Sequence, residues 1–143
     1  MIKVLFVCHG NICRSPMAEF ILKDMVKKAG REQEFEIDSV AVSREEEGNP
    51  VYPPARRELH KRGIVCDGHK ARRITEADLA KFDHIYYMDG RNRQYLTRLF
   101  GDKATKCQPL LPRDVADPYY CGGFEQTYSD IEEGCRHILE ELL

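Results

Sequence analysis

Tryptophan is absent from the 143-residue chain, and so is any apolar run long enough to cross a membrane. A bilayer-spanning helix needs about 20 apolar residues, whereas the N-terminal apolar run covers only Ile2–Val7. That run is also too short for the apolar region of a secretory signal, and no small-residue cleavage site follows it. We therefore expect a cytoplasmic protein that has no membrane partner.

An excess of charge of either sign is missing as well, because 22 basic side chains face 24 acidic ones. A balanced chain has no global field that would draw it to nucleic acid. A basic cluster does lie between residues 54 and 73, but no aromatic residues are interleaved with it. We interpret this cluster as a solvated face and expect no nucleic-acid partner.

Paired cysteine knuckles are lacking, although the chain has six cysteines. Zinc sites place two cysteines a few residues apart and complete the site with a second such pair. Only Cys8 and Cys13 come near that spacing, so we expect no metal. Periodic helices and apolar strands indicate a core that needs no disulfides, which favours a reducing compartment. No cofactor is expected either.

Segments typical of strands and helices alternate along the chain. Strands are predicted at residues 2–7, 35–42, 84–88 and 105–110, and helices begin near residues 15, 53, 75, 89 and 124. This alternation predicts one α/β domain over residues 1–143, a three-layer sandwich with a four-stranded parallel sheet and helices on both faces. Ligands of such folds bind beyond the carboxyl ends of the strands. The loops beginning near Cys8, Ser43, Asp89 and Asp117 should share that edge.

Two helix starts carry recognisable caps. Thr75 with Asp78 resembles a capping box, in which each side chain binds the other residue's backbone N–H. Asp89 belongs to the residue types that cap a helix N-terminus well. These signals predict helices that begin directly after residues 75 and 89.

The most informative segment joins the first strand to the first helix and reads Cys8-His9-Gly10-Asn11-Ile12-Cys13-Arg14-Ser15. Its backbone N–H groups and the positive end of the helix can converge on one anion. Gly10 and Asn11 tolerate the left-handed backbone that such a tight loop needs. We therefore predict a phosphate-binding loop formed by His9, Gly10, Asn11, Ile12, Cys13 and Arg14.

The ends of this loop predict its chemistry. A helix N-terminus and a nearby arginine favour the thiolate form of a cysteine, which makes Cys8 the candidate nucleophile. Arg14 presents a flat fork to two phosphate oxygens and would stabilise charge on the phosphoryl group. The Ser15 hydroxyl is placed to donate a hydrogen bond to the thiolate.

This loop, followed by Pro16-Met17-Ala18-Glu19, resembles that of the low-molecular-weight protein tyrosine phosphatase family. A second matching segment, Asp117-Pro118-Tyr119-Tyr120, lies far along the chain, and further segments between them follow the family order. The resemblance covers essentially the whole chain. It implies hydrolysis of phosphotyrosine or aryl phosphate monoesters through a phosphocysteine on Cys8, with inorganic phosphate as a product. The partner would be a tyrosine-phosphorylated protein or a small aryl phosphate.

The resemblance also implies roles around the nucleophile. Asp117 would protonate the leaving phenolate and then take a proton from water. Asp114 is a competing acid, and the Asp-Pro-Tyr run favours Asp117. Tyr119 and Tyr120 would line the substrate cleft, with Tyr119 the more direct contact. Glu45 stands where animal members carry an aromatic residue of the cleft, so stacking on that side should be weaker.

Three residues are implied as supports of the loop. His69 and Ser39 would join a hydrogen-bond network with Asn11 and Ser15, and Glu19 would be buried behind the loop. The alternative interpretations are an ordinary polar loop histidine and a solvated helix acid. For both residues, burial and hydrogen-bond partners distinguish the supporting role from the alternative.

Two loop residues keep open roles. In the family a cysteine at the position of Cys13 can form a reversible disulfide with the nucleophile Cys8, which protects the latter from over-oxidation. The alternative is a small apolar residue that supports the loop. His9 departs from the small or hydrophobic residue often found there. It either meets the substrate, tunes the thiolate or points to solvent.

Three rival functions remain. Thioredoxin-linked arsenate reductases need two further cysteines after the third strand, and residues 89–101 contain none. Protein arginine phosphatases carry a threonine where Ile12 stands and lack the paired tyrosines. A phosphate-binding sensor or a cysteine phosphocarrier is the non-enzymatic alternative, and such a protein needs no general acid like Asp117.

Overall fold

A parallel sheet of four strands lies at the centre of the fold: β1 (Ile2–Cys8), β2 (Phe35–Ala41), β3 (His84–Tyr87) and β4 (Cys107–Pro109). The computed structural model describes residues 1–118 and 123–143. The strand order is β2-β1-β3-β4, and all three neighbouring pairs are parallel. The loop that follows β1 therefore starts between two other strand ends, where the strand order reverses and ligands bind in such folds.

Helices cover both faces of the sheet, as predicted. They are α1 (Arg14–Lys28), α2 (Pro53–Lys61), α3 (Glu76–Lys81), α4 (Gly90–Phe100) and α5 (Phe124–Leu142). Alternate side chains of β1 point to opposite faces: Val4 and Phe6 pack in a core with α1, α2 and α5, whereas Leu5 and Val7 pack in a second core with α3 and α4. In the described part of the chain, no helix is both long and apolar enough to cross a membrane.

Both predicted helix caps are confirmed. The Thr75 hydroxyl accepts from the Asp78 N–H at 3.2 Å, and the Asp78 carboxylate accepts from the Thr75 N–H at 2.8 Å. Asp89 accepts from the Asn92 N–H at 2.9 Å at the start of α4. Capping residues are local signals, so they can be read from a few adjacent letters.

The fourth strand is shorter than predicted. Residues Gly101–Lys106 form a 3-10 helix, and only Cys107–Pro109 pair with β3. The prediction of a strand from residue 105 was wrong because the Thr105 hydroxyl donates to the Asp102 carbonyl at 2.8 Å and closes a turn there. Such local bonds compete with a strand ladder. The predicted second and third strands also end one residue early, at Ala41 and Tyr87.

Candidate active site

The loop between β1 and α1 wraps around the sulfur of Cys8. The Asn11 N–H donates to Cys8 Sγ at 3.3 Å, and the Ser15 hydroxyl oxygen lies 2.9 Å from the same sulfur. Cys8 is buried, with 4% of its surface exposed. Two groups able to donate to a thiolate thus meet at one buried sulfur, which is the environment that a cysteine nucleophile needs.

The backbone of the loop is left-handed at one residue only. Asn11 has a φ of +60°, whereas Gly10 is not among the glycines with a positive φ. Of the two residues that tolerate this conformation, only Asn11 therefore adopts it. A larger residue at Gly10 would be crowded, because a Cβ atom would lie 3.2 Å from the Cγ of Glu46 and that side chain would have to shift.

Asn11 is the centre of a buried hydrogen-bond network. Its side-chain N–H groups donate to the hydroxyl oxygens of Ser15 and Ser39, each at 2.9 Å. The Ser39 hydroxyl donates in turn to the Glu19 carboxylate at 2.6 Å. His69 Nε2 donates to the backbone carbonyl of Asn11 at 2.7 Å, so the contact is with the main chain of this residue.

Glu19 is buried behind the loop, with 5% of its surface exposed. Each residue named as a support in the sequence, Ser39, His69 and Glu19, is thus part of one connected set around Asn11. Among the described residues, every buried side-chain nitrogen and oxygen has a hydrogen-bond partner. A fully satisfied polar network of this kind holds its members in a single arrangement.

Arg14 is buried at the other end of the loop with its fork already oriented. One terminal nitrogen donates to the Val115 carbonyl at 3.1 Å, and the other donates to Asp89 at 2.8 Å. Asp117 lies 3.6 Å from the second nitrogen. Burial lowers the pKa of the guanidinium, but the Cys8 sulfur and the two carboxylates more than compensate, so its pKa lies above the ordinary value.

Asp89 has a second role that the sequence did not reveal. One of its oxygens caps α4, while the other accepts from Arg14. The capping signal was visible in the sequence, and the loop was expected at the right edge of the sheet. The pairing with Arg14 was missed because it joins residues 75 positions apart.

Cys13 is buried beside Cys8. Burial, followed by the proximity of Cys8, raises the pKa of Cys13 to about 12, although Arg14 acts in the opposite direction. None of the cysteines in residues 1–118 and 123–143 forms a disulfide. Over the same ranges, no cluster of three or more His, Cys, Asp and Glu residues is arranged to hold a metal ion.

A cavity of about 370 Å³ opens above Cys8 and Arg14. Asp117 and Ile12 line it. The competing acid Asp114 is not among its lining residues and instead accepts from the Gly90 N–H at 3.2 Å. Of the two acids, Asp117 is therefore the one that lines the cavity above Cys8.

The rim of this cavity carries charged and aromatic side chains: Glu45, Glu46, Arg91 and Tyr95. His9 lies at the rim too, with its Nε2 2.9 Å from the Glu45 carboxylate. Arg91 and Tyr95 were missed in the sequence because nothing in a helical segment indicates which face lines a distant loop. The predicted cleft residues Tyr119 and Tyr120 lie outside the described residues.

Known proteins resemble this chain over nearly its whole length. The family model described as low molecular weight phosphotyrosine protein phosphatase matches residues 3–143. The chain belongs to this family. The low molecular weight protein-tyrosine-phosphatase YfkJ of Bacillus subtilis is 41% identical over 99% of this chain and 96% of its own length. Its crystal structure superposes with a TM-score of 0.94 at 40% identity, covering 99% of this chain and 94% of that one.

Two further proteins extend the comparison. The human low molecular weight phosphotyrosine protein phosphatase is 37% identical over 96% of this chain and 94% of its own length. The arginine phosphatase YwlE of Bacillus subtilis, solved as a cysteine-to-serine mutant with a phosphorylated active site serine, superposes with a TM-score of 0.86 at 27% identity. That match covers 99% of this chain and 95% of YwlE. Membership of the family makes the protein a phosphoric monoester hydrolase.

Proposed function

We propose that this protein is a protein tyrosine phosphatase that hydrolyses phosphotyrosine and small aryl phosphates through a phosphocysteine on Cys8. One observation carries the proposal: Cys8 and the buried Arg14 line the same cavity, and Asp117 lines that cavity 3.6 Å from Arg14. A nucleophile, a fixed positive charge and an acid are the groups that transfer of a phosphoryl group to sulfur requires.

In the first step the Cys8 thiolate attacks phosphorus, and the bond from phosphorus to the aryl oxygen breaks. Arg14 and the loop N–H groups stabilise the charge on the three equatorial oxygens. Asp117 gives its proton to the departing phenolate, so the leaving group exits as a phenol. The products of this step are a phosphocysteine on Cys8 and an ionised Asp117.

In the second step water attacks the phosphocysteine. Asp117 accepts a proton from that water, whose oxygen bonds to phosphorus while the bond from sulfur to phosphorus breaks. The thiolate that leaves is stabilised by the Ser15 hydroxyl and by the Asn11 N–H, which lie 2.9 Å and 3.3 Å from the sulfur. Inorganic phosphate departs, and Asp117 is again protonated.

A redox role for Cys13 belongs to the same proposal. Peroxide would oxidise the Cys8 thiolate to a sulfenic acid and be reduced to water in the process. The Cys13 thiol would then attack that sulfur and release a second water, which leaves a disulfide that thiols can reduce. A reducing compartment keeps a cysteine nucleophile in its active, reduced form, so we place the enzyme in the cytoplasm.

The second candidate is arginine phosphatase activity, because YwlE shares the fold. Ile12 lines the cavity of this protein with an apolar side chain. An apolar wall favours a flat aryl group over a charged guanidinium, which loses hydration on entering the cavity. We therefore expect phosphotyrosine to be preferred to phosphoarginine.

The test is kinetic and uses a matched pair of acids. Cys8→Ser should abolish hydrolysis of p-nitrophenyl phosphate and of a phosphotyrosine peptide when a chelator is present. Asp117→Ala should lower kcat by about 100-fold or more, the usual range for a lost general acid, whereas Asp114→Ala should stay near the wild-type rate. Full activity of Cys8→Ser, or equal losses in the two aspartate variants, would refute the mechanism. Faster turnover of phosphoarginine would favour the second candidate.

A further inference from the structure

Tyr95 lies on the helix α4 at the rim of the cavity above Cys8. The residues Arg91, Asn92 and Tyr95 all line the cavity above Cys8. Positions four and three residues apart lie on one face of a helix, so this face of α4 forms one side of the cavity. Tyr95 is its aromatic member and is half-buried.

The Tyr95 ring is held in place from three directions. The His9 ring meets it edge-on, with 5.5 Å between the ring centroids and 67° between the planes. The guanidinium of Arg98 lies 5.2 Å from the ring centroid. The inner part of the ring packs on the core between the sheet and α4, which includes Leu96. A ring fixed in this way loses little freedom when a ligand packs on it.

The ring is also connected to the phosphate-binding loop itself. His9 follows the nucleophile directly, and its Nε2 lies 2.9 Å from the Glu45 carboxylate. Glu45, where the sequence predicts weaker stacking, thus has a partner at this rim. It holds the His9 ring, which in turn contacts Tyr95. Three separate segments meet at the rim, and Tyr95 gives that rim an aromatic surface.

We propose that Tyr95 is a specificity-determining residue that packs against the aryl ring of the substrate. The proposal rests on the proposed phosphatase activity. With phosphorus at Cys8, an in-line leaving group points out of the loop into the cavity that Tyr95 lines. A contact between two aromatic rings contributes about 0.5–1.5 kcal/mol beyond burial, which corresponds to about 2- to 10-fold in rate or affinity.

The position of Tyr95 predicts which kinetic constants respond. The aryl group is present only until the phosphocysteine forms, so the contact enters kcat/KM, which measures transition-state stabilisation relative to free enzyme and substrate. Inorganic phosphate has no aryl group, so its inhibition constant should not depend on Tyr95. A distorted phosphate-binding loop would change both constants together.

The experiment compares Tyr95→Leu, Tyr95→Phe and the same-helix control Thr97→Ala with the wild type. Measured are kcat/KM for p-nitrophenyl phosphate, the inhibition constant of inorganic phosphate, and the unfolding midpoint. Tyr95→Leu should lose about 2- to 10-fold in kcat/KM while the inhibition constant stays the same. Tyr95→Phe and Thr97→Ala should match the wild type.

Several results would overturn the proposal. One is an unchanged kcat/KM in Tyr95→Leu, and another is a parallel weakening of phosphate inhibition. A loss in Tyr95→Phe as large as that in Tyr95→Leu would assign the effect to the hydroxyl group and reject the ring contact. Failure of the phosphatase function itself is recognised separately, because Cys8→Ser would then retain the wild-type rate.

Discussion

Substitution of Asp89 separates the two contacts of one carboxylate. Asp89→Asn keeps an N-cap, since Asn caps helices about as well as Asp, but it places a neutral amide against the Arg14 fork. Asp89→Ala removes both contacts. Asp89→Asn therefore measures the pair with Arg14, and the difference between the Asn and Ala variants measures the cap of α4.

The structure sets the expected size of each effect. Arg14 and Asp89 are 2.8 Å apart, with side chains only 7% and 14% exposed. A hydrogen bond to a charged group contributes about 1.5–3 kcal/mol, so Asp89→Asn should lower the free energy of unfolding by about that amount. Asp89→Ala should lose about 1 kcal/mol more through the cap. In both, kcat/KM should fall by about 10- to 100-fold, because Arg14 loses the partner that orients it.

Unfolding by urea, followed by far-ultraviolet circular dichroism, suits a chain without tryptophan. The buffer must be free of phosphate, since a ligand that binds the folded state would mask the loss. If Asp89→Asn unfolds at the same urea concentration as the wild type, the pair with Arg14 contributes nothing to stability. If the Asn and Ala variants are equal in stability, the capping role is refuted.

Three further predictions concern other parts of the molecule. Gly134→Ala should destabilise by about 1–3 kcal/mol in urea unfolding, because its Cβ would lie 2.5 Å from the Cγ of Leu110. Burial raises the pKa of Asp78, but its hydrogen bonds with Arg72 and Thr75 outweigh this and hold the pKa below the ordinary 3.8. Its contribution to stability is thus present above pH 3.8 and is lost as the pH falls through the lower folded-state pKa. After peroxide treatment, Cys13→Ser should recover less activity with thiol than the wild type does.

Each of these predictions has its own control. Gly90→Ala should leave stability unchanged or slightly higher, because nothing lies within 4 Å of the added Cβ; equal losses at both glycines would contradict the packing argument. Asp78→Asn should have a lower free energy of unfolding than the wild type at neutral pH, and this difference should shrink as the pH falls below 3.8. A difference that does not depend on pH would refute the role assigned to Asp78. If Cys13→Ser and the wild type recover the same activity with thiol after peroxide treatment, this would count against the redox role of Cys13.

The parts of the site that were predictable are those written in adjacent residues. The strand, loop and helix around Cys8 follow one another within a few positions, and the caps at Thr75 and Asp89 are local hydrogen-bond patterns. What could not be predicted depends on tertiary contacts. The pair of Arg14 with Asp89 and the approach of Tyr95 to His9 exist only because parallel strands bring their following loops together.

The prediction that the fourth strand begins at residue 105 failed for a local reason. Segment 105–110 contains few residues, and a short run does not distinguish a strand from a turn by its periodicity. A hydrogen bond from the Thr105 hydroxyl to the Asp102 carbonyl forms a turn at the start of this segment. The two edge residues Gln108 and Pro109 are exposed, so burial did not favour a longer strand.

Among the described residues, the polar side chains around Cys8 fall into two groups, and no side-chain hydrogen bond joins one group to the other. The inner group joins Asn11 to Ser15, Ser39 and Glu19, whereas the outer group joins His9 to Glu45 and Tyr95. We therefore expect substitutions in the outer group to leave the hydrogen bonds of the inner group intact. Selection can diversify the substrates of such an enzyme without rebuilding its catalytic step, and a designer can exchange the outer side chains for the same purpose.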